Sequence, residues 1–374
     1  MMHPAKEFSS SSETCAGVSG YHSVGFFPPP WCGISFVNQR MFEIASACGI
    51  AVAVFSTSAP DLNSRFFTRL RRLASVCSSF MRFVRRGGKQ QPVYLSASGG
   101  YALLYETMFA LTARLEGAPV AVHHNSFRYI NKRFWPMKLL RWAAGRTAVH
   151  IMLSESMARR FAAIYGNVNY LCVSNCAYLQ PPTAAPSSSI RESFVIGFLS
   201  NLSEEKGLGE VASLAESARR EGMSWRFRIG GPFATSRLEK KFRPRLEGLG
   251  NVELLGPLLG DAKAHFYGSL DAFVMPTRYF NEAEPIVVLE AMQYGVPVIA
   301  YARGVLPEVL QSCGVIIPSE QSFVPAALRD IAIRASDRRE HERSRRATLL
   351  AYQTLFDSSR KELKKLVAFL RSDQ

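Results

Sequence analysis

The 374-residue sequence predicts an α/β protein of two domains, each a parallel sheet covered on both faces by helices. Three observations carry this reading. Short continuous apolar runs alternate with segments of helical period along the whole chain, and strands buried on both faces read as such runs. The length suffices for two domains of ordinary size. Midway, at 180–193 (QPPTAAPSSSIRES), Pro, Ala and Ser replace every apolar period, as in an interdomain linker.

In the first half, 49–57 (GIAVAVFST), 93–96 and 119–123 read as strands, and 35–48, 61–87 and 102–115 as helices. In the second half, 194–199, 225–229, 252–255, 272–275 and 296–300 read as strands. Residues 1–20 are Ser-rich without an apolar core and read as a mobile tail rather than a secretory signal. The expected division is a tail (1–20), a first domain (21–180), a linker (181–192) and a second domain (193–374).

Composition narrows the class. Apolar residues make up 47% and charged residues 20%, which fits a globular chain. No apolar run reaches the roughly 18 residues of a membrane-spanning helix. The seven cysteines are scattered and include no Cys-x-x-Cys pair, which fits free thiols in a reducing cytoplasm. Cys172 and Cys176 have no further ligands spaced to complete a zinc site, and no Asp-x-Asp offers a divalent ion a seat, so no metal is expected. Charge is uneven. Residues 1–187 hold 19 Lys/Arg against 7 Asp/Glu, and residues 188–374 hold 26 against 23.

In open α/β sheets, ligands bind beyond the carboxyl ends of the strands. Three motifs sit there in the second half. In 197–209 (GFLSNLSEEKGLG), Ser203 reads as a helix N-cap, with Glu204 and Glu205 in the first turn. Lys206 then lies near that helix N-terminus, either with an anion such as phosphate or as a solvated surface residue. In 228–233 (RIGGPF), Gly230 and Gly231 allow close backbone approach to a ligand, or simply a tight turn. In 275–300 (MPTRYFNEAEPIVVLEAMQYGVPVIA), Glu282 precedes a helix and Glu290 lies within it, among apolar neighbours. A carboxylate there needs hydrogen-bond partners. A ribose diol would supply two donors; a structural partner such as Arg303 is the alternative. Backbone N–H groups at Ala283, Glu284 and Ile286 are candidates for phosphate oxygens.

Glu282 and Glu290 form an E-x7-E pair followed by AMQYGVPVIA. This closely resembles the donor-site signature of retaining GT-B glycosyltransferases of the family-4 type. The EKG at 205–207 and the GGP at 230–232 stand upstream in that family's order. More weakly, 25–33 (GFFPPPWCG) is similar to the family's glycine loop after the first strand, which brings in Gly33. His123 and His124 resemble its histidine at the rim of the acceptor domain. Two positions depart from the pattern. Asn201 stands where the family commonly has Arg, five residues before the lysine. Pro285, which has no N–H to give, stands where Gly is common, three residues after the first Glu.

The resemblance implies a GT-B fold of two Rossmann-like domains facing across a cleft. It implies metal-independent transfer from a UDP- or GDP-sugar with retention of the anomeric configuration, and no cofactor. It places the ribose on Glu290 and the leaving diphosphate on Lys206, with Asn201, Gly230 and Gly231 beside it. Glu282 would orient the sugar. His123 or His124 would hold sugar or acceptor, and tandem strand residues point to opposite faces, so at most one lines the site. A catalytically inert sugar-nucleotide-binding scaffold and a GT-B epimerase are the alternatives.

The basic first half fits a docking surface. Along 61–87, Leu62, Phe66, Leu70, Leu73, Cys77, Phe80 and Val84 form one apolar stripe, and Arg65, Arg69 and Arg72 a neighbouring basic one. In 128–146, Trp135 and Trp142 stand among Lys and Arg. Basic residues beside aromatic ones suit the headgroup zone of an anionic membrane. The expected partners are a nucleotide-sugar donor, a glycan or lipid-linked acceptor and the inner face of a membrane. No nucleic-acid-binding signature accompanies the charge.

Overall fold

In the computed structural model, the described residues are 20–29, 31–58, 65–86, 90–183 and 193–371, with the side chains of 65–71 excepted. The expected tail, apart from Gly20, and the expected linker beyond Thr183 lie outside them. The chain divides into two compact units, Met1–Tyr178 with Ser358–Gln374, and Leu179–Asp357.

The first unit runs β1 (Gly20–Gly25), α1 (Gly33–Ala47), β2 (Ala51–Ser56), α2 (Arg65–Arg86), β3 (Val93–Ala97), α3 (Leu103–Leu115), β4 (Val120–His124), α4 (Arg128–Asn131), α5 (Trp135–Ala144), β5 (Val149–Met152), α6 (Glu155–Tyr165) and β6 (Asn169–Cys172). Its six strands are ordered β2-β1-β3-β4-β5-β6, and every pairing is parallel. The topological switch falls between β1 and β3. Strand β1 was not legible, because GYHSVG contains no apolar run; all six of its residues are nonetheless buried.

Helix α2 is turned differently from expectation. Leu73, Cys77 and Val84 of the expected apolar stripe are exposed, whereas Val76, Ser79 and Phe83 are buried. The Ser79 hydroxyl enters the interior because it donates to the Ser56 carbonyl at 2.8 Å. Arg72, expected on a basic stripe beside the apolar one, has its Nε buried and its guanidinium carbon 5.9 Å from the Phe26 ring centroid. The side chains of Arg65 and Arg69 lie outside the described residues.

The second unit runs β7 (Phe194–Leu199), α7 (Leu208–Arg220), β8 (Trp225–Gly230), α8 (Ser236–Glu247), β9 (Val252–Gly256), α9 (Gly260–Gly268), β10 (Ala272–Met275), α10 (Ile286–Gln293), β11 (Val298–Tyr301), α11 (Leu306–Val309), β12 (Val315–Ile317), α12 (Phe323–Ser336) and α13 (Arg338–Arg371). The order β12-β11-β10-β7-β8-β9 is that of a Rossmann sheet, with its switch point between β7 and β10. Two six-stranded parallel sheets with flanking helices are the GT-B architecture that the sequence predicts.

Helix α13 spans the division of the chain, and its residues from Ser358 onward belong to the first unit. There Leu363, Leu366 and Leu370 are fully buried, Arg360 donates to the Ala177 carbonyl, and Arg371 donates to the Cys48 carbonyl at 2.8 Å. Leu366→Ala should therefore destabilise the first unit by about 2–5 kcal/mol, the usual cost of a large-to-small change in a packed core. Urea unfolding checks this. An unmoved midpoint would mean that the end of α13 adds no stability.

Candidate donor site

The second unit places its candidate residues at the switch point. Lys206 lies in the turn after β7 and Glu282 in the loop after β10, the two strands that flank the switch. The Lys206 Nζ donates to Glu282 Oε2 at 2.5 Å, and the Thr277 hydroxyl donates to the same oxygen at 3.1 Å. The Lys206 ammonium also stands 4.8 Å from the Tyr279 ring centroid, an attractive cation–π placement. Glu282 is buried and the Lys206 side chain is 24% exposed, so the cation keeps access to solvent.

The local backbone differs from expectation. The helix starts at Leu208, not near Ser203, so Glu204, Glu205 and Lys206 precede it. The Ser203 side chain still accepts from the Lys206 N–H at 3.2 Å, but it closes a turn rather than capping a helix. Gly207 is why the helix cannot start earlier. Its φ is +92°, and a Cβ there would lie 2.3 Å from the Pro276 carbonyl oxygen. The Arg278 N–H donates to the Glu205 carbonyl at 2.8 Å, fastening the two loops together.

Glu290 lies on α10, apart from that pair. Its Oε1 accepts from Lys263 Nζ at 2.6 Å and its Oε2 from the Tyr267 hydroxyl at 2.9 Å. The partner is thus Lys263 and not Arg303. Sequence reasoning missed Lys263, Tyr267, Thr277 and Tyr279. The one signal for the first two was their spacing of four on α9, which puts them on one face.

The remaining candidates are placed as follows. Gly231 has φ +114°, and a Cβ there would stand 1.8 Å from the Ser200 carbonyl oxygen, so the glycine is required by close packing against the turn after β7. A Cβ on Gly230 would press on Leu199 and Leu258. Asn201 is exposed, and its carbonyl accepts from the Ser200 hydroxyl. Ala283 and Glu284 are buried; the Ala283 carbonyl accepts from the Val305 N–H at 2.9 Å. Ile286 is the first residue of α10, preceded by Pro285. In the first unit, Gly33 is the exposed first residue of α1.

His123 and His124, expected at the rim by resemblance, both have wholly buried imidazoles. His123 Nδ1 lies 2.5 Å from the Tyr94 hydroxyl; His124 Nδ1 lies 3.1 Å from the Tyr129 hydroxyl, and its Nε2 2.8 Å from His150 Nδ1. Burial lowers His123 and His150 to about 3, and it holds His124 well below the ordinary value with help from its two histidine neighbours. Glu106, which accepts from the Ser98 N–H on both oxygens, is pushed up by burial to about 7.

The chain is similar to known proteins at two levels, a sequence segment and the fold. Residues 193–332 match the family model described as "Glycosyl transferases group 1". Within the second unit, this segment is similar to group 1 glycosyltransferases. A 55-residue stretch is 44% identical to a sulfoquinovosyl transferase of Arabidopsis thaliana, covering 15% of this chain and 10% of that relative. Solved structures match over the length of both units. HepE of Anabaena, in complex with UDP, has a TM-score of 0.67 at 16% identity, covering 93% of this chain and 99% of its own. Sucrose-phosphate synthase from Thermosynechococcus elongatus gives 0.64 at 15% identity, covering 94% and 96%. The group 1 match spans the Lys206 turn, the glycines after β8 and the whole E-x7-E segment.

The buried histidines generate a pH prediction. A histidine whose folded-state pKa is depressed contributes stability that is full above the unfolded value of about 6.5 and is lost as pH falls. Glu106 acts oppositely: a raised carboxyl gains stability as pH falls from about 7. With His123, His124 and His150 against Glu106, stability should drop by on the order of 2–3 kcal/mol between about pH 7 and about pH 5.5. Glu106→Gln should deepen the loss. Equal or greater stability at the lower pH in urea titrations would refute the assignment of these imidazoles as neutral.

Proposed function

We propose that the protein transfers a sugar from a UDP-sugar to a lipid-linked acceptor at a membrane surface, with retention of configuration. The observation that carries the donor half is the Lys206–Glu282 pair at the switch point of a Rossmann sheet. It sets a cation, suited to the leaving diphosphate, beside a carboxylate suited to sugar hydroxyls. Lys206 stabilises charge that grows as the phosphate oxygen departs. Glu282, held by Thr277, keeps one oxygen available to orient the sugar. Glu290 takes the ribose. UDP and UDP-glucose in the HepE structures support uridine among the bases.

Two variants test the donor site. Glu290→Ala should weaken UDP binding by roughly 1.5–3 kcal/mol, the worth of a hydrogen bond to a charged group. Lys206→Ala should act mainly on kcat, since its interaction strengthens in the transition state. Calorimetry and turnover on a UDP-sugar measure both. Unchanged UDP affinity in the first, or unchanged turnover in the second, would remove that residue from the site.

The acceptor half rests on an exposed face of the first unit. On α5, Trp135 and Trp142 are each 57% exposed and Leu139 lies between them, one stripe at spacings of four and three. Met108 and Leu115 of the adjoining α3 are also exposed, as are Leu73, Cys77, Met81 and Val84 of α2. Lys132, Arg133, Lys138, Arg82, Arg85 and Arg86 stand exposed nearby in sequence. Among the described residues, no helix is long and apolar enough to cross a membrane. Exposed Trp and Leu among cations suit reversible insertion into an anionic surface instead.

Co-sedimentation with anionic liposomes at low salt should therefore succeed, and neutral lipid or high salt should abolish it. Trp135→Ser with Trp142→Ser should weaken it while leaving UDP affinity intact. Equal sedimentation of that double variant would move the docking face elsewhere. No sedimentation of the unaltered protein would favour a soluble acceptor.

A further inference from the structure

Glu290 is held by two side chains that leave its carboxylate only partly satisfied. An ionised carboxylate offers about four acceptor positions, two on each oxygen. Lys263 occupies one on Oε1 at 2.6 Å, and Tyr267 occupies one on Oε2 at 2.9 Å. One position remains on each oxygen, which matches the two adjacent hydroxyls of a ribose. We propose that Lys263 and Tyr267 are positioning residues that preset Glu290 for the ribose diol and so set the preference for ribo- over deoxyribonucleotides. The inference rests on the reading of Glu290 as the ribose acceptor.

The two side chains do different things. Tyr267 is buried, and its ring stacks on Tyr294 with centroids 5.8 Å apart, so its hydroxyl is fixed in place. Burial and the nearby Glu290 charge push that hydroxyl well above its ordinary pKa, which keeps it a proton donor. It therefore sets the rotation of the carboxylate about its last bond. Lys263 is on the solvent side, its side chain 29% exposed against 12% for Glu290. Its ammonium keeps a negative group beside an incoming diphosphate electrostatically tolerable and holds Oε1. A carboxylate free to rotate would lose entropy each time it met a diol; this one has already lost it. Both residues lie on one face of α9, four positions apart, so one short helix supplies both restraints.

The test compares ribose discrimination rather than affinity alone. Dissociation constants for UDP, 2′-deoxy-UDP and 3′-deoxy-UDP are measured by calorimetry on the full chain and on Tyr267→Phe and Lys263→Met. The unaltered protein should prefer UDP over each deoxy form by roughly tenfold or more, the usual effect of a lost hydrogen bond to a charged group. Both variants should melt near the unaltered protein and bind UDP more weakly, with the ratio compressed to about threefold or less, because a loose carboxylate gains little from either hydroxyl. Lys263→Arg should restore part of the ratio. A weaker UDP affinity with unchanged ratios would show a structural role only and overturn the proposal. So would tighter UDP binding by Lys263→Met, which would mark Lys263 as a competitor for the ribose position. If the unaltered protein binds UDP with no preference over either deoxy form, the ribose reading of Glu290 itself fails, and that result is separate from any variant.

Discussion

The candidate donor site depends on how closely the loop after β7 can approach the loop after β10. The side chain of Gly207 is a hydrogen, and 2.3 Å separates the Pro276 carbonyl from where a Cβ would be. Any other residue would push these two backbones apart at the switch point of the sheet. Lys206 precedes that glycine and Thr277 follows that proline, so the same contact brings ammonium, hydroxyl and carboxylate within hydrogen-bond reach. The lysine of the EKG triplet has its position because of the glycine beside it. The Arg278 N–H bond to the Glu205 carbonyl then fixes the sliding coordinate of the two loops.

The same logic explains why the second pair of groups sits on helices. Glu290 must hold a charge in an apolar helix, where Val288, Leu289, Ala291 and Met292 are all fully buried. An uncompensated carboxylate there would be expensive. Lys263 and Tyr267 supply the compensation from α9, which is anchored by Phe266 and Tyr267 in the core. One pair of groups is thus held by loops and the other by helices.

Much of this was legible in the sequence because the second unit announces itself through apolar strands of the right length. Its first five strands match the apolar runs to within two residues at each end, and the EKG and E-x7-E motifs fall at the ends of β7 and β10. What escaped notice did so for physical reasons. Strand β1 is built from Gly, Tyr, His, Ser and Val, and its burial comes from its place between β2 and β3 rather than from apolarity. Ser203-Glu204-Glu205 has the composition of a helix start, but the left-handed Gly207 postpones the helix to Leu208. Lys263 and Tyr267 carry no motif at all; only the fold brings α9 against α10. The family resemblance suggests a rim for the tandem histidines, and aromatic neighbours enclose both.

Helix α2 shows most clearly where periodicity runs out. Two apolar stripes compete along it, Leu73–Cys77–Val84 and Val76–Phe83, and period alone cannot say which one meets the sheet. Ser79 decides, because its hydroxyl finds the Ser56 carbonyl and thereby makes a polar residue welcome on the inner face. The richer apolar stripe is thus left outward, beside cations that the first unit cannot neutralise from within. Residues 1–187 have only 7 acidic residues for 19 basic ones. In the second unit the basic residues find carboxylates, as in Arg228–Glu253, Arg243–Glu239 and Arg245–Glu216. Arg82, Arg85 and Arg86 have no such neighbour on α2, whose sequence contains no acid. The outward apolar stripe comes from the choice of helix rotation, and the unbalanced charge beside it from the absence of acid on α2.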